Sequence, residues 1–482
     1  MNKSLFVDRI NRKGERMNIT DWLTEKRHSN SLAIVSDDTC ITYKQLYNYS
    51  ISLSKTIKNI KSRNIGLFAK TTYKYIIGYF AILYARKCVV PLKVSGKKAE
   101  KQYIINKADI QCVVTDSYLE LDDIEEVFID EFSSIETKDN KTIIDNESDR
   151  LLLETTGTTG GKKLVRLSEK NLQFVVNSYC NIRKFKQNQN VNYMILLPLQ
   201  SAYGNFVFLS CICIGATIFV KDDFMPWDFR KMVLENRITH IECVSSLLIA
   251  LSKIYSQNEW GNLTYLGYGG EKVHESDIKK ILKVFPRVQI CQGYGLTEAG
   301  PMVSYIPPEL SIWKQDMFLQ KINSVGIPLK GLRIKINDPD EGGKGEILVS
   351  GPSITKGYYK ENSEAIFCGE FLKTGDIGFI DSDGYIFVTG RKKNIVIVQG
   401  MNIQIEEVEN VLKDFKLIED VKVYGKRDPY LGERLCADIV SNAAIDINDI
   451  KKFMMEKVDI HKIPTEINIV DNIERVGGKI KR

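Results

Sequence analysis

Leu151 to Lys163, LLLETTGTTGGKK, joins a short apolar run to a loop of Thr and Gly that closes on two lysines. Gly157 and Gly160 permit backbone conformations that other residues avoid, so successive N–H groups can turn inward on an anion. Thr155, Thr156, Thr158 and Thr159 add hydroxyl donors, and Lys162 and Lys163 add charge. Those are the parts of a polyphosphate-holding loop; the same composition also builds a Gly/Thr-rich surface turn. It is not the Walker loop, G-x-x-x-x-G-K-[ST]. The spacing from Gly157 is one residue short, and Lys163 follows Lys162 where that loop has Ser or Thr.

Four later stretches carry complementary chemistry. In QGYGLTE, Gln292 to Glu298, glycines allow close backbone approach and Tyr294 offers a flat face to a base. Glu298 is a hard oxygen ligand of the kind Mg²⁺ takes. KTGDIG, Lys373 to Gly378, puts Asp376 in a tight loop where it can accept both hydroxyls of a ribose, and Arg391 follows in GRKKN. The C-terminal RVGGKIKR places Lys479 on a glycine-flexible loop. Taken singly, each is also a turn, a surface pair or a solvated tail. Their order and spacing along one chain favour a functional reading over those bland ones.

Elements that would position these residues can be read from periodicity. From Ile65 to Cys291 short apolar strands alternate with helical stretches, which implies parallel strands with helices on both faces. SLAIVSDDTCITY reads as a hairpin about Asp37-Asp38, and Phe206 to Val220 as a buried helix and a strand, too broken for a membrane span. Asp116 to Asp149 reads as a variable surface connection. From Ser324 to Asp383 the chain is rich in Gly, Pro and Asp with short strands, a small antiparallel subdomain. From Asn394 onward it reads as a small α+β unit, with the boundary near Arg391. The expected architecture is α/β: a large N-terminal domain over 1–390, mostly parallel sheets flanked by helices plus the antiparallel subdomain, then a small C-terminal domain over 391–482. The 482 residues exceed what one core supports. A net charge of +6, spread without a basic block, argues against a nucleic-acid partner. Ten cysteines without a C-x-x-C pair, four scattered histidines and no apolar signal core fit a cytoplasmic protein without a zinc centre or an integral membrane segment.

Together the motifs resemble the adenylate-forming superfamily: acyl- and aryl-CoA synthetases, peptide-synthetase adenylation domains and luciferases. The resemblance covers nearly the whole chain. TTGTTGGKKL at 155 to 164 is similar to the family's phosphate loop, and Tyr294-Gly295-Leu296-Thr297-Glu298 is its adenine box unchanged. Gly269-Gly270-Glu271 resembles the turn beside adenine, Thr374-Gly375-Asp376 the ribose site, and Gly390-Arg391-Lys392-Lys393 the ribose arginine and hinge. Gly478-Lys479 resembles the adenylation lysine.

The resemblance implies ATP and Mg²⁺, with Glu298 as metal ligand and Thr297 and Lys479 as catalytic groups. It also implies a mobile C-terminal domain hinged at Lys393, and CoA or a carrier protein's phosphopantetheine as acceptor. Its acid pocket would lie among Ser201, Tyr203, Phe206, Val244, Gly267, Tyr268, Ala299 and Gly300. The chain departs from the family in several places: Lys162 stands for Pro, Leu164 for Gly and Ser201 for a frequent His, and the Lys479 loop is one residue short. The Pro198 to Phe206 stretch also lacks the Asp that pairs an α-ammonium. A small-molecule carboxylic acid, aryl or short-to-medium acyl, is therefore expected as substrate. The alternatives are an amide-forming synthetase, an amino-acid adenylation enzyme, and a non-catalytic nucleotide-binding scaffold.

Overall fold

The computed structural model describes residues 17–36, 39–96, 98–119, 121, 124–129, 146–156, 162–185, 190–256, 259–270, 273–313, 315–398, 401–428, 432–441, 443–458, 460–476 and 479–480. Two compact units divide the chain: Met1–Arg333 with Val349–Leu372, and Ile334–Leu348 with Lys373–Arg482. This division groups the Asp376 segment with the C-terminal part, whereas the sequence places the boundary at Arg391.

The first unit opens with α1 (Ile19–Thr24) and the antiparallel hairpin β1 (Leu32–Ser36) and β2 (Thr39–Thr42). Next come α2 (Tyr43–Lys58), β3 (Asn64–Phe68), α3 (Tyr73–Tyr84), β4 (Cys88–Pro91), α4 (Lys98–Lys107), β5 (Cys112–Thr115) and β6 (Glu125–Phe128). β7 (Asp149–Thr156) and β8 (Lys162–Ser168) form a hairpin, followed by α5 (Glu169–Ile182), β9 (Asn192–Leu196), α6 (Ala202–Ile214) and β10 (Thr217–Val220). Then come α7 (Phe229–Glu235), β11 (His240–Val244), α8 (Ser245–Ile254), β12 (Tyr265–Gly269), α9 (Glu275–Val284), β13 (Gln289–Tyr294), β14 (Ser304–Tyr305) and β15 (Ile327–Pro328). Asp37 and Asp38, expected as the first hairpin's turn, lie outside the described residues.

Two sheets result, ordered β6-β5-β3-β4-β7-β8 and β15-β14-β13-β12-β11-β9-β10-β1-β2. Pairing from β13 through β12, β11, β9 and β10 to β1 is parallel throughout, as the alternation of strands and helices requires. One expectation changes. The 116–149 connection contributes β6, which pairs in parallel with β5 at the sheet edge. Its alternating apolar content is slight (EEVF), because an edge strand needs few buried residues.

α6 carries the unit's most apolar stretch and is buried from Gly204 to Cys213. Ser201 caps it, accepting from Gly204 N–H at 3.0 Å and donating to Pro198 O at 2.8 Å. Gly215, at φ +79°, ends it in the left-handed conformation that glycine tolerates. Among the described residues no helix is long and apolar enough to cross a membrane.

In the second unit the strands Phe371–Ile380 and Ile386–Arg391 pair antiparallel and set Asp376 opposite Arg391. A second sheet is built on the long hairpin Ile418–Asp428 and Gly432–Ser441, joined by Ile395–Val398, Met401–Gln404 and Glu466–Ile469. Helices Ile405–Lys413 and Ile447–Met455 cover it through Val408, Leu412, Ile450 and Met454. The terminal segment, expected as a loop, forms the short hairpin Arg475–Val476 and Lys479–Ile480, with Lys479 opposite Val476.

Candidate nucleotide and acid site

In the first unit the expected site residues gather at the C-terminal ends of β11, β12 and β13, the usual position for ligands on an open parallel sheet. Register pairs Glu242 with Gly267, Gly267 with Cys291, and Gly269 with Gly293. Strand alternation therefore puts Glu242, Gly267, Gly269 and Gly293 on one face. Two of these glycines are required by close approach. A Cβ on Gly267 would lie 2.1 Å from Glu242 Oε1, and one on Gly269 would lie 2.8 Å from Gly293 O.

Over this face lie Tyr203 and Phe206 of α6, their rings stacked at 5.5 Å and 13°. Tyr203 lies 3.5 Å from where a Gly269 Cβ would stand and donates to Glu242, whose carboxyl abuts Gly267. Tyr268 points to the opposite face, buried, and donates to Gln292 Oε1 at 3.2 Å. Ser201 spends its hydroxyl on the α6 cap. Val244 is exposed at the end of β11. Ala299 is buried, and Gly300 at φ +76° packs where a Cβ would meet Ser353 O at 2.6 Å.

Sequence reasoning missed the charge beneath this surface. Glu242, 1% exposed, accepts from Tyr179 at 2.5 Å, from Tyr193 at 3.2 Å, from Arg183 at 3.3 Å and from Tyr203. Arg183 lies between the Tyr179 and Tyr265 rings, at 4.3 and 4.1 Å. Burial, reinforced by the Glu242 charge, pushes the Tyr203 phenol up, so it stays a donor. Burial and the nearby Arg183 hold His240, stacked between Tyr193 and Tyr265, down at about 3. A lone Glu inside the apolar strand HIECV was the available signal.

The strands that flank the expected phosphate loop pair antiparallel. Thr155 pairs with Lys163 and Thr156 with Lys162 across β7 and β8. Gly157, Thr158, Thr159 and Gly160 lie outside the described residues, as does Glu271. Lys162, where the family has Pro, ion-pairs with Glu154 at 3.0 Å and Glu100 at 3.4 Å, so its added charge is offset locally. Lys163 instead stands 4.5 Å over the ring of Tyr358 and 3.9 Å from Glu361. The Tyr358 hydroxyl donates to Glu298 Oε1 at 3.0 Å. One unforeseen tyrosine therefore touches both the loop lysine and the expected metal ligand.

Thr297 opens the short helical turn Thr297–Ala299 that carries Glu298, and the Glu298 carbonyl accepts from Thr355 N–H at 2.9 Å. The turn before it needs glycine, since a Cβ on Gly295 would fall 1.8 Å from Pro301 O. Tyr294, half-buried, ends β13 beside that turn. Gly270, at φ +93°, follows β12 with open space around it.

In the second unit Arg391 Nε meets Asp376 Oδ1 at 2.6 Å. Asp376 is 2% exposed, and its N–H donates to Thr374 Oγ1 at 3.0 Å. Gly375, at φ +73°, supplies the turn. Lys392 pairs with Glu346 at 2.8 Å, and Lys393 lies in the adjoining turn Lys392–Asn394.

Among the described residues no group of three or more His, Cys, Asp or Glu is placed to cage a metal. Mg²⁺ needs no such cage, because it is commonly held by one or two carboxylates and substrate phosphates. Glu298 fits that role: among the described residues Tyr358 alone donates to its carboxylate.

Comparison with known proteins gives the family and the fold. The model of the AMP-binding enzyme family matches residues 22–359, and that of the AMP-binding enzyme C-terminal domain matches 407–477. The 2-succinylbenzoate–CoA ligase of Staphylococcus epidermidis is 25% identical over 471 residues, 96% of each chain. The o-succinylbenzoate coenzyme A synthetase of Bacillus subtilis, solved with ATP and magnesium ion, superposes with a TM-score of 0.83 at 22% identity, covering 94% of this chain and 96% of that one. An amide bond synthetase of Marinactinospora thermotolerans shares the fold too, with a TM-score of 0.83 at 20% identity over 95% and 96% of the two chains. With both family models matched in order along its length, the chain belongs to the AMP-binding enzymes and is an adenylate-forming ligase of the acyl-CoA synthetase type.

Proposed function

We propose that the protein activates an aryl or short-to-medium acyl carboxylic acid with ATP and passes the acyl group to the thiol of CoA. The acid's carboxylate oxygen attacks the α-phosphorus of ATP and the bond to pyrophosphate breaks, giving an acyl-adenylate. The thiol sulfur then attacks the acyl carbon, loses its proton, and releases AMP. The observation that carries this reading is the Tyr358 junction, where Lys163 and Glu298 converge from separate elements. Such chemistry depends on positioned charge more than on covalent help from the protein.

Lys163 offsets negative charge on the phosphates. Glu298 with those phosphates would hold Mg²⁺, which supplies further charge neutralisation. Thr297 steadies the α-phosphate. Tyr294 and the Gly269-Gly270 turn take the adenine, and Asp376 with Arg391 the ribose. Lys479 serves the adenylation half-reaction. Support for CoA as acceptor comes from the named activity of the Staphylococcus relative and for ATP with Mg²⁺ from the ligands of the Bacillus structure. All ten cysteines are free thiols, eight of them buried, which suits a cytoplasmic setting.

The test is a pyrophosphate-release panel of carboxylic acids, repeated with CoA, a carrier protein and amines. Acid-dependent release followed by CoA thioester is expected. Release completed only by a carrier protein or an amine would replace the acceptor, and no release with any acid would remove the activity. Lys479→Ala should slow adenylate formation by orders of magnitude while sparing thioester formation from supplied acyl-adenylate. Equal losses in both steps would contradict its assigned role.

A further inference from the structure

Glu242 and Arg183 form a buried ion pair, 1% and 3% exposed at their side chains, on the sheet face that also carries Gly267 and Gly269. A buried pair costs desolvation that apolar residues of similar volume avoid, so it is weak as a stabilising device. Its arrangement toward the pocket is specific. The Glu242 carboxyl occupies the space a Gly267 side chain would need. Arg183, Tyr179 and Tyr193 all donate to Oε1, while Tyr203 donates to Oε2. The cation is thus on one oxygen and the pocket tyrosine on the other. Arg183 is further enclosed by two rings and reaches Cys291 Sγ at 3.5 Å.

The polar capacity left on the Tyr203 side is consequently that of an acceptor. The tyrosine's only hydrogen is spent inward, and behind its oxygen stands a carboxylate. A hydroxyl or amino group reaching this wall gains an acceptor; a second carboxylate meets lone pairs and like charge.

Resting on the reading of Tyr203, Phe206 and Gly267 as the acid pocket, we infer that Glu242 sets substrate choice through Tyr203. It selects monocarboxylic acids that carry a hydrogen-bond donor, such as hydroxy- or amino-aryl acids, and turns away dicarboxylic acids. Glu242 is a positioning residue here, because Tyr203 makes the contact.

The experiment measures pyrophosphate-release kcat/KM for benzoate, 3- and 4-hydroxybenzoate, 3- and 4-aminobenzoate, isophthalate and terephthalate. At least one donor-bearing acid should exceed benzoate by about tenfold, one net hydrogen bond, with both dicarboxylates below benzoate. Tyr203→Phe should abolish the donor advantage. Glu242→Gln should raise the dicarboxylate-to-benzoate ratio by about tenfold or more. If that variant folds poorly, Glu242→Gln with Arg183→Met removes both charges and serves for the same ratio. A merely structural pair would lower every kcat/KM alike and leave the ratios fixed. Fixed ratios, or a wild-type preference for dicarboxylates, would overturn this inference while leaving acid activation intact. No pyrophosphate with any acid in this or the wider panel would overturn acid activation itself, and the inference with it.

Discussion

Glu242 and Glu298 are both carboxylates near the C-terminal edge of one parallel sheet, yet their surroundings are opposite. Glu242 lies inside β11 with three phenols and a guanidinium on its two oxygens. Glu298 sits on a short turn beyond β13, half-buried, with the Tyr358 phenol as its partner among the described residues. A saturated carboxylate cannot take a new cation without giving up a partner. One with spare lone pairs can. The contrast separates a buried, fully partnered charge from one with spare acceptor capacity.

The largest test of the contrast is to neutralise each carboxylate in turn. Glu242→Gln leaves Arg183 buried beside a neutral group, so unfolding in urea should show a loss of about 3–5 kcal/mol. Glu298→Gln should leave stability within about 0.5 kcal/mol but slow adenylation by roughly 100-fold or more, as for a lost transition-state charge contact. Reversal of the two outcomes would break the comparison. Asp376→Ala should weaken ATP binding by about 1–3 kcal/mol through lost ribose hydrogen bonds. It should also shrink the preference for ATP over 2′-deoxy-ATP in calorimetry, and an unchanged preference would make Asp376 a turn residue.

A smaller effect sharpens the open side. Tyr358→Phe keeps the ring beneath Lys163 and removes the hydroxyl on Glu298. The Mg²⁺ midpoint for binding a non-hydrolysable ATP analogue should move by up to about tenfold, the worth of one hydrogen bond, and no shift would uncouple Tyr358 from Glu298. The smallest concerns the closed side at low pH. His240 titrates near 3 when folded against 6.5 as its ordinary value, so between those values the unfolded chain binds the extra proton. Its contribution to stability is complete above pH 6.5 and is lost as pH falls toward 3, at up to about 1.4 kcal/mol per pH unit. His240→Gln should flatten the stability profile between pH 6.5 and 5 by about that slope, and parallel profiles would show that His240 does not carry it.

Much of this was legible in the sequence because periodicity and turn chemistry are local. The β1–β2 hairpin, the capped start of α5 at Ser168, the buried α6 and the alternating βα order all follow from neighbouring residues. Asp376 and Arg391 were each singled out by a motif and assigned to different domains, and their ion pair emerges only from the hairpin that sets them opposite each other. What stayed hidden depends on contacts distant in sequence. Glu242 reads as an odd charge in an apolar strand until α5 and α6 deliver Arg183, Tyr179 and Tyr203 to it. Tyr358 reads as an ordinary aromatic until the 349–372 segment brings it to Lys163 and Glu298. Tyr268 lay one residue from Gly267 and was grouped with it, but strand alternation sends its side chain the other way.

The central claim is that the chain joins an acid to the α-phosphorus of ATP. It is tested most directly with an acid from the pyrophosphate panel labelled with ¹⁸O in both carboxylate oxygens, incubated with ATP, Mg²⁺ and CoA, followed by mass spectrometry of the nucleotide. The account predicts AMP carrying one ¹⁸O and an equal amount of unlabelled pyrophosphate. ADP with inorganic phosphate, or AMP without label, would contradict it.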